Sequence, residues 1–210
     1  MLNKKTNTNY LNFVFYPLSL LYYISINIRG FLYKIHILKT KSLPCKVISI
    51  GNITVGGSGK TPTVQYLSKL LQSKGKKVGI ISRGYGRKSK NTTIVTDGKI
   101  KPKTWKNFGD EPYMLAKNLD GIPIIVGESR YEAGIKMITE FNPDIIILDD
   151  GFQHLSLYRD LDIVLINSKD TEKSHRLIPL GLLREPLSNL SRADLVILTK
   201  TNIHKTSRYQ

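Results

Sequence analysis

The fold is decided by one stretch in the first third of the chain, Val47-Ile48-Ser49-Ile50 followed by Thr54-Val55-Gly56-Gly57-Ser58-Gly59-Lys60-Thr61. The first part is an apolar run typical of a strand, and Thr63–Leu71, which follows the second part, has the pattern of a helix. A strand, a glycine-rich loop, Gly-Lys-Thr and a helix in this order are typical of a P-loop, although Thr54 stands where the consensus has glycine. An ordinary glycine-rich turn is the alternative, and the register of the strand, the lysine and the threonine favours the P-loop.

The P-loop interpretation gives each residue type in this loop a role. Glycines let successive backbone N–H groups turn towards one anion, and the start of the following helix adds its positive dipole end. Lys60 is predicted to reach the β- and γ-phosphates of ATP, and the Thr61 hydroxyl is predicted to bind Mg²⁺. The predicted nucleotide-binding residues are Thr54, Val55, Gly56, Gly57, Ser58, Gly59, Lys60 and Thr61.

A second signal is the run Ile145-Ile146-Ile147-Leu148-Asp149-Asp150. An unbroken apolar strand is typical of a parallel sheet, in which strands are buried on both faces. Asp149 and Asp150 at its carboxyl end fit a Walker B site, which holds Mg²⁺ directly or through water. A further acidic pair, in Gly109-Asp110-Glu111-Pro112, precedes a predicted helix, and taken alone it is more often only a favourable helix cap.

The net positive charge is confined to the first 96 residues of the chain. The 210 residues carry 32 Lys/Arg and 16 Asp/Glu, for a formal net charge of +16. Residues 1–96 hold 16 basic and no acidic residues, whereas residues 97–210 hold 16 of each sign. An anionic membrane, a nucleic acid or a phosphorylated substrate would each be attracted to the basic half. The single cysteine, Cys45, leaves no partner for an internal disulfide and fits a reducing compartment.

An uncharged run near the N-terminus, Tyr10–Ile28, lies between basic residues. Its polar residues and its basic flanks on both sides are unlike a transmembrane helix, and no signal-peptide cleavage site follows it. Pro17 suits the first turn of a helix, after which apolar residues recur at helical spacing. The pattern predicts a helix that lies in one leaflet of a membrane, with a single membrane span or a helix packed on the protein core as alternatives.

Strands and helices alternate along the rest of the chain, which predicts an α/β fold of the P-loop NTPase type with a mostly parallel sheet flanked by helices. Ser129 and Glu132 form a predicted capping box. Asp97-Gly98 favours a tight turn, so Ile94–Ile100 is predicted to be a small hairpin. The other predicted elements are strands at Val78–Ile81, Ile122–Val126, Asp162–Ile166 and Leu195–Leu198, and helices at Tyr113–Asn118 and Ser129–Phe141.

Two further loops contain arginines that could face an anion. Ser82–Lys88 follows a predicted strand, at the end where open α/β sheets bind ligands, and an anion site and a solvated basic turn are equally compatible with it. In the loop Leu177–Leu187, Arg184 could face a phosphate or form a surface ion pair with Glu185.

Together these motifs resemble one family, tetraacyldisaccharide 4′-kinase, the lipid A 4′-kinase. The resemblance extends from about Pro17 to Lys200. The motifs that carry it, in chain order, are Ser49-Ile50-Gly51-Asn52 through Gly59-Lys60-Thr61-Pro62, Ser82-Arg83-Gly84-Tyr85-Gly86, Gly109-Asp110-Glu111-Pro112, Asp149-Asp150-Gly151-Phe152-Gln153-His154 and Leu183-Arg184-Glu185-Pro186-Leu187.

The resemblance implies transfer of the γ-phosphoryl group of ATP to the 4′-hydroxyl of a tetraacylated glucosamine disaccharide 1-phosphate. It implies a location at the cytoplasmic face of the inner membrane, with the N-terminal helix embedded. By this resemblance Asp110 is the general base towards the sugar hydroxyl, and Lys60 and Arg184 stabilise phosphate charge. The implied Mg²⁺-site candidates are Thr61, Glu111, Asp149 and Asp150.

The resemblance also suggests a division of the chain into a membrane-associated helix at 1–41, a P-loop kinase domain at 42–200 with an incomplete second lobe, and a polar tail at 201–210. In the family the chain continues further and supplies a histidine that pairs with the aspartate of the Gly-Asp-Glu-Pro motif. The 210 residues are therefore expected to be a fragment, a split gene product or a degraded copy, which binds Mg-ATP but phosphorylates lipid weakly.

Two other classes of function compete with the lipid kinase. A P-loop NTPase that couples its nucleotide state to a partner would need no lipid-facing helix, so the N-terminal run argues against it. A basic nucleic-acid-binding protein is disfavoured because the sequence contains no nucleic-acid-binding motif. The predicted partners are therefore the acylated disaccharide lipid and the inner-membrane surface, and not nucleic acid.

Overall fold

The structure, a computed structural model, describes residues 6–87, 90–169 and 175–202. Residues 1–5, residues 203–210 of the predicted tail and Lys88 of the first arginine loop therefore lie outside the described residues. The helices are α1 (Thr6–Lys34), α2 (Lys60–Ser73), α3 (Asp110–Asn118) and α4 (Arg130–Phe141), with a short 3₁₀ helix at Leu187–Arg192. The strands are β1 (Lys46–Asn52), β2 (Val78–Ser82), β3 (Thr93–Thr96), β4 (Ile124–Val126), β5 (Ile145–Asp149), β6 (Leu161–Asn167) and β7 (Leu195–Thr199).

The seven strands form one sheet in the order β3-β4-β2-β5-β1-β6-β7. All neighbouring pairs are parallel except the edge pair β3 and β4, which is antiparallel. In the central pair, Ile50 of β1 lies opposite Asp149 of β5, so the chain leaves both strands at the same edge of the sheet. The mostly parallel α/β sheet predicted from the sequence is confirmed.

Both faces of the sheet are covered, which explains the continuous apolar runs. Successive residues of β5 enter different core clusters: Ile147 lies in the cluster that contains Val64 of α2 and Leu115 of α3. Ile146 lies in the cluster that contains Met137 of α4. Because side chains alternate along a strand, a strand with helices on both sides must be apolar at every position.

The predicted hairpin at Ile94–Ile100 is wrong. β3 ends at Thr96 and pairs with β4 instead of with the residues that follow it. The Asp97 carboxylate accepts hydrogen bonds from the backbone N–H groups of Lys99 and Ile100, each at 2.8 Å. A carboxylate that binds the backbone two and three residues later stabilises a local turn and leaves no returning strand.

The N-terminal helix forms, but the predicted position of its start is wrong. α1 begins at Thr6, so Pro17 lies inside it and not in its first turn. A proline there has no N–H to donate to the preceding turn, and the helix continues without that bond. Among the described residues, none of the helices combines the length and the apolar character needed to cross a membrane.

Candidate functional site

The candidate site lies at the edge of the sheet where the parallel strands end. The glycine-rich loop follows β1, the first arginine loop follows β2, and β5 ends at Asp149, with Asp150 directly after it. These motifs are spread over about 100 residues of the chain, and the parallel register of the strands brings them to the same edge of the sheet. Ligands of open α/β sheets bind at this edge.

The glycine-rich loop leads into α2 through a backbone conformation that only glycine adopts readily. Gly59 is the residue before the helix and has a left-handed backbone with φ 85°. Gly59 has no side chain that could cap the first turn of α2, so the N–H groups of this turn can serve a ligand or water. A cavity of about 270 Å³ lies against this turn, lined by residues 56–62 together with Glu111 and Lys200. A helix start of this kind favours an anion.

Lys60, which lines this cavity, lies between two side-chain oxygens. Its Nζ donates a hydrogen bond to Asn52 Oδ1 at 3.2 Å and lies 3.5 Å from Asp150 Oδ1. Asn52 Nδ2 in turn donates to the Thr54 carbonyl at 2.6 Å, so the end of β1 and the start of the loop hold the lysine in place. Asn52 was not among the site residues predicted from the sequence.

Arg184 completes a charged cluster around Asp150. Its Nη1 donates to Asp150 Oδ1 at 3.1 Å and to Oδ2 at 2.8 Å. Burial alone would raise the pKa of Asp150, but the charges of Lys60 and Arg184 and their hydrogen bonds hold that pKa below its usual value. Asp150 is therefore a carboxylate at neutral pH. The alternative ion pair of Arg184 with Glu185 is wrong, because Glu185 pairs with Arg192.

Arg184 reaches the site because its own loop runs beside the glycine-rich loop. The Val55 N–H donates to the Leu182 carbonyl, and the Arg184 N–H donates to the Ile53 carbonyl, each at 2.7 Å. The Tyr22 hydroxyl of α1 donates to the Arg184 carbonyl at 2.8 Å. The N-terminal helix therefore supports the segment that carries this arginine.

Asp149 is buried with one oxygen unused. Its side chain is 1% exposed, and its Oδ2 accepts a hydrogen bond from Ser82 Oγ at 3.1 Å. Within the described residues nothing donates to Oδ1. Burial, with the neighbouring charges of Glu111 and Asp150, raises the pKa of Asp149 to about 7. A buried carboxylate oxygen without a donor is suited to a cation.

The acids of the Gly-Asp-Glu-Pro motif begin α3 beside this cluster. A Cβ on Gly109 would lie 2.5 Å from the Tyr85 carbonyl oxygen, so only glycine allows this loop to touch the arginine loop after β2. Asp110 is exposed, and its Oδ1 accepts from the Glu111 N–H at 2.9 Å. Partial burial raises the pKa of Glu111, and the charge of Lys60 opposes that shift. The structure therefore brings both acids to the phosphate-loop side of the sheet edge.

The three acidic residues among the four predicted metal ligands do not form a metal site by themselves. In residues 6–87, 90–169 and 175–202, no three His, Cys, Asp or Glu side chains form a group that could hold a metal ion. The Thr61 hydroxyl is of another type, and Thr61 and Glu111 line the same cavity.

The arginine loop after β2 is partly structural. Arg87 donates to the carbonyls of Asn91 and Lys90, at 2.6 and 2.9 Å. It thereby supports the chain at residues 90 and 91. Arg83 is exposed. Both the anion site and the solvated turn therefore stay open for this loop.

Sequence reasoning missed Arg130, the first residue of α4. Its side chain is 2% exposed, its Nη1 donates to the Gly127 carbonyl, and no described residue accepts from Nε or Nη2. Burial lowers the pKa of Arg130 to about 10, against the charges of Asp149 and Asp150. A signal was present, because Arg130 lies at helical spacing with the buried Ala133, Gly134 and Met137.

His154 lies among these charges and predicts a pH effect. Burial, and then the charge of Arg130, lower its pKa to about 4 from 6.5. Between these pH values the unfolded chain binds a proton at His154 that the folded protein does not bind. The stability linked to the neutral His154 is therefore fully present above pH 6.5 and is lost as the pH falls to 4. When the pH is lowered from 7 to 4, the free energy of unfolding of His154→Gln should fall by ~1–3 kcal/mol less than that of the native chain. Urea unfolding measures this difference.

The pH dependence of stability that is due to Asp149 has the opposite sign in the same pH range. Its raised pKa means that the unfolded chain releases a proton first, so its contribution falls as pH rises from about 4 to about 7. Because this effect is common to both proteins, the difference between them isolates His154. Parallel pH dependence in the two proteins would contradict the burial of a neutral imidazole.

Comparison with known proteins gives consistent matches over most of the chain. A family model described as LpxK, tetraacyldisaccharide-1-P 4′-kinase, matches residues 11–210. Tetraacyldisaccharide 4′-kinase of Aquifex aeolicus is 50% identical over 184 residues, which are 87% of this chain and 57% of the relative. The enzyme of that name from Chlorobium phaeobacteroides is 48% identical over 187 residues, 88% of this chain and 53% of the relative.

A solved structure is also similar. The crystal structure of the "apo" form of LpxK from Aquifex aeolicus in complex with ATP matches with a TM-score of 0.85 and 47% identity. The match covers 92% of this chain and 60% of that chain. This chain spans about half the length of the curated relatives it matches.

Proposed function

Since this chain belongs to the tetraacyldisaccharide-1-P 4′-kinase family, we propose that it transfers the γ-phosphoryl group of ATP to the 4′-hydroxyl of tetraacyldisaccharide 1-phosphate, in lipid A biosynthesis. The observation that carries the proposal is the cavity shared by the glycine-rich loop and Glu111, which Lys60 also lines, with Asp150 3.5 Å from Lys60. Phosphoryl transfer needs a loop that binds the phosphates and an acidic side chain near the acceptor hydroxyl.

In this proposal the fold is of the P-loop NTPase type, and residues 54–61 bind the nucleotide phosphates. The uncapped first turn of α2 and the ammonium of Lys60 supply positive charge to them. Arg184 adds a second cation on the other side of Asp150. Because phosphoryl transfer is accelerated mainly by positioning and electrostatics, two cations held by one carboxylate are a suitable arrangement.

Asp110 is the proposed general base towards the acceptor hydroxyl. It is exposed at the start of α3, and the next residue, Glu111, lines the phosphate cavity. Such a base takes the proton of the hydroxyl as the new bond to phosphorus forms.

Mg²⁺ is the proposed metal, held by Asp149 with Thr61, Glu111 and Asp150 as further candidates. The fit rests on Asp149 Oδ1, a buried carboxylate oxygen to which no described residue donates. Carboxylate and hydroxyl oxygens are the ligands that Mg²⁺ prefers, and Mg²⁺ usually keeps substrate phosphates as further ligands. When bound, Mg²⁺ would neutralise charge on the phosphates.

We further infer that residues 1–41 contain a helix that lies on the cytoplasmic face of the inner membrane, that residues 42–200 form the kinase domain, and that 201–210 are a polar tail. The side of α1 that faces the domain is fixed by Ser19, Tyr22 and Arg29. Their side chains donate to the carbonyls of Leu177, Arg184 and Gln153. Large apolar side chains of α1 are exposed elsewhere on the helix: Phe13, Leu21, Ile24, Ile28 and Phe31 are 43–82% exposed. An apolar, basic-flanked helix surface suits an anionic lipid bilayer.

A matched pair of substitutions tests this surface. We expect Ile28→Glu to weaken binding to phosphatidylglycerol-containing vesicles about tenfold more than Asn27→Glu, because only the first also removes apolar area from the bilayer. Both positions are exposed and both variants gain the same charge. Co-sedimentation with vesicles measures the difference. Equal effects of the two variants would mean that α1 contributes charge alone, and that the apolar surface does not enter the membrane.

The function itself is tested with labelled ATP and the acylated disaccharide 1-phosphate in detergent. The expected result is a phosphorylated lipid whose formation requires both ATP and Mg²⁺. Release of free phosphate that is stimulated by lipid, without phosphorylated lipid, would favour an NTPase that couples its nucleotide state to a partner. Binding of ATP without either product would leave a nucleotide-binding protein and contradict the kinase.

A further inference from the structure

Two side chains at the end of β7 reach the glycine-rich loop. Lys200 Nζ donates a hydrogen bond to the Gly57 carbonyl at 2.6 Å. Thr199 Oγ1 donates to the next carbonyl, that of Ser58, at 2.9 Å. The last residue of the edge strand β7 and the residue after it therefore hold two adjacent carbonyls of the loop. Lys200 also lines the cavity of about 270 Å³ at the first turn of α2.

The backbone of Lys200 is itself held in an uncommon conformation. Its φ is 60°, in the left-handed region that lysine rarely adopts. Its carbonyl accepts a hydrogen bond from Ser168 Oγ at 3.0 Å, and the Ser168 N–H donates to the Thr199 carbonyl at 3.0 Å. Ser168 is 2% exposed. The buried serine after β6 therefore maintains the turn that directs Lys200 towards the loop.

Holding these carbonyls constrains the N–H groups that follow them. In a planar trans peptide the carbonyl and the next N–H point in opposite directions. A bond from Thr199 to the Ser58 carbonyl thus directs the Gly59 N–H away from β7. The bond from Lys200 restricts the preceding peptide, in which the Ser58 N–H already donates to the Gly56 carbonyl at 3.1 Å. A glycine-rich loop is otherwise free to rotate these peptides, because glycine has few steric limits.

We propose that Lys200 is a positioning residue of the nucleotide site, which with Thr199 holds the glycine-rich loop in its anion-binding form. The ligand that benefits is the polyphosphate chain of the nucleotide, because the restrained peptides belong to the phosphate loop. The Lys200 ammonium also places a positive charge at the rim of the cavity. This inference rests on the proposed function, since it assigns a role in the same nucleotide site.

The decisive measurement is the affinity of three ligands that share a phosphate chain: ATP, ADP and inorganic tripolyphosphate. Loss of a hydrogen bond to a charged group predicts that Lys200→Met weakens all three by the same factor, about 10- to 100-fold. Thr199→Val should weaken them less, and Lys200→Arg should recover most of the loss. Isothermal titration calorimetry with Mg²⁺ gives the dissociation constants.

Lys76→Met is the matched control. Lys76 is exposed beyond the other end of α2, about 20 Å away along the helix. This variant loses the same charge from the protein, so its three affinities should stay within twofold of the native chain. Circular dichroism checks the fold of each variant. If Lys200→Met does not fold, the comparison of Lys200→Arg and Thr199→Val with the native chain decides instead.

Each other outcome overturns the inference in a distinguishable way. Unchanged affinities in folded Lys200→Met and Thr199→Val, with normal ATP binding by the native chain, would reject the positioning role and leave the proposed function intact. A loss for ATP and ADP but not for tripolyphosphate would place Lys200 at the nucleoside instead of the phosphate loop. Failure of the native chain to bind any of the three would reject the proposed function together with this inference.

Discussion

Lys60→Ala is expected to reduce ATP-dependent phosphoryl transfer by at least ~10²–10³-fold, the range lost when one stabilising donor is removed from a reacting centre. The reason is local. Lys60 Nζ is held by Asn52 Oδ1 at 3.2 Å, and Lys60 lines the cavity at the first turn of α2. Its removal also leaves Arg184 as the one cation that the described residues place beside Asp150. The net charge of the Lys60, Arg184 and Asp150 side chains at the proposed phosphate site therefore changes from positive to near neutral.

The control for this variant is Lys69→Ala, which removes an exposed lysine from the same helix. Its rate should match that of the native chain within twofold. Radiolabelled phosphate transferred to lipid is the readout for both variants. Normal ATP-dependent transfer by the Lys60 variant would mean that the glycine-rich loop does not bind the reacting phosphates, whatever its shape.

The second large effect is expected for Asp110→Asn, in which kcat for lipid phosphorylation should fall ~10²–10⁴-fold, the usual contribution of a general base. Affinity for ATP should change little, because the phosphate cavity is lined by Glu111 and not by Asp110. Asparagine keeps an oxygen that can accept from the Glu111 N–H, so the start of α3 should survive the substitution. The pair of measurements thus separates catalysis from binding.

Glu140→Gln, at an exposed position of α4, is the control for loss of one acidic charge. Because the chain spans about half the length of its relatives, we expect slow turnover by the 210 residues alone. Adding the unmatched part of a relative in trans should raise turnover of the native chain but not of Asp110→Asn. An unchanged kcat in the Asp110 variant under both conditions would remove Asp110 from the role of base.

The charged cluster shows where sequence reasoning was sufficient and where it was not. Asp150 and Lys60 were predicted from their motifs, and the structure places them 3.5 Å apart. Arg184 was predicted to face a phosphate or Glu185, and only the structure shows its bond to Asp150. No local pattern could supply that choice, because it depends on the pairing of Ile53 and Val55 with the segment that carries Arg184.

Buried charge is the other feature that a linear pattern does not reveal. Arg130 reads as an ordinary polar residue at the start of a helix, yet it is 2% exposed beside the acids of β5. The uncommon turn at Lys200 is similar, since its φ of 60° is stabilised by Ser168, a residue of another strand end. In both cases the determining contacts come from segments distant in the chain.

Local sequence signals were enough to predict the apolar strands β1 and β5, the glycine-rich loop and the N-cap at Ser129. Periodicity, glycine conformation and side-chain capping all act within a few residues, so they can be read in order. Tertiary structure alone decided that β3 pairs with β4, that Arg184 pairs with Asp150 and that Lys200 holds the loop. These contacts are set by strand order and register, because parallel strands that neighbour in space are separated in sequence by whole helices.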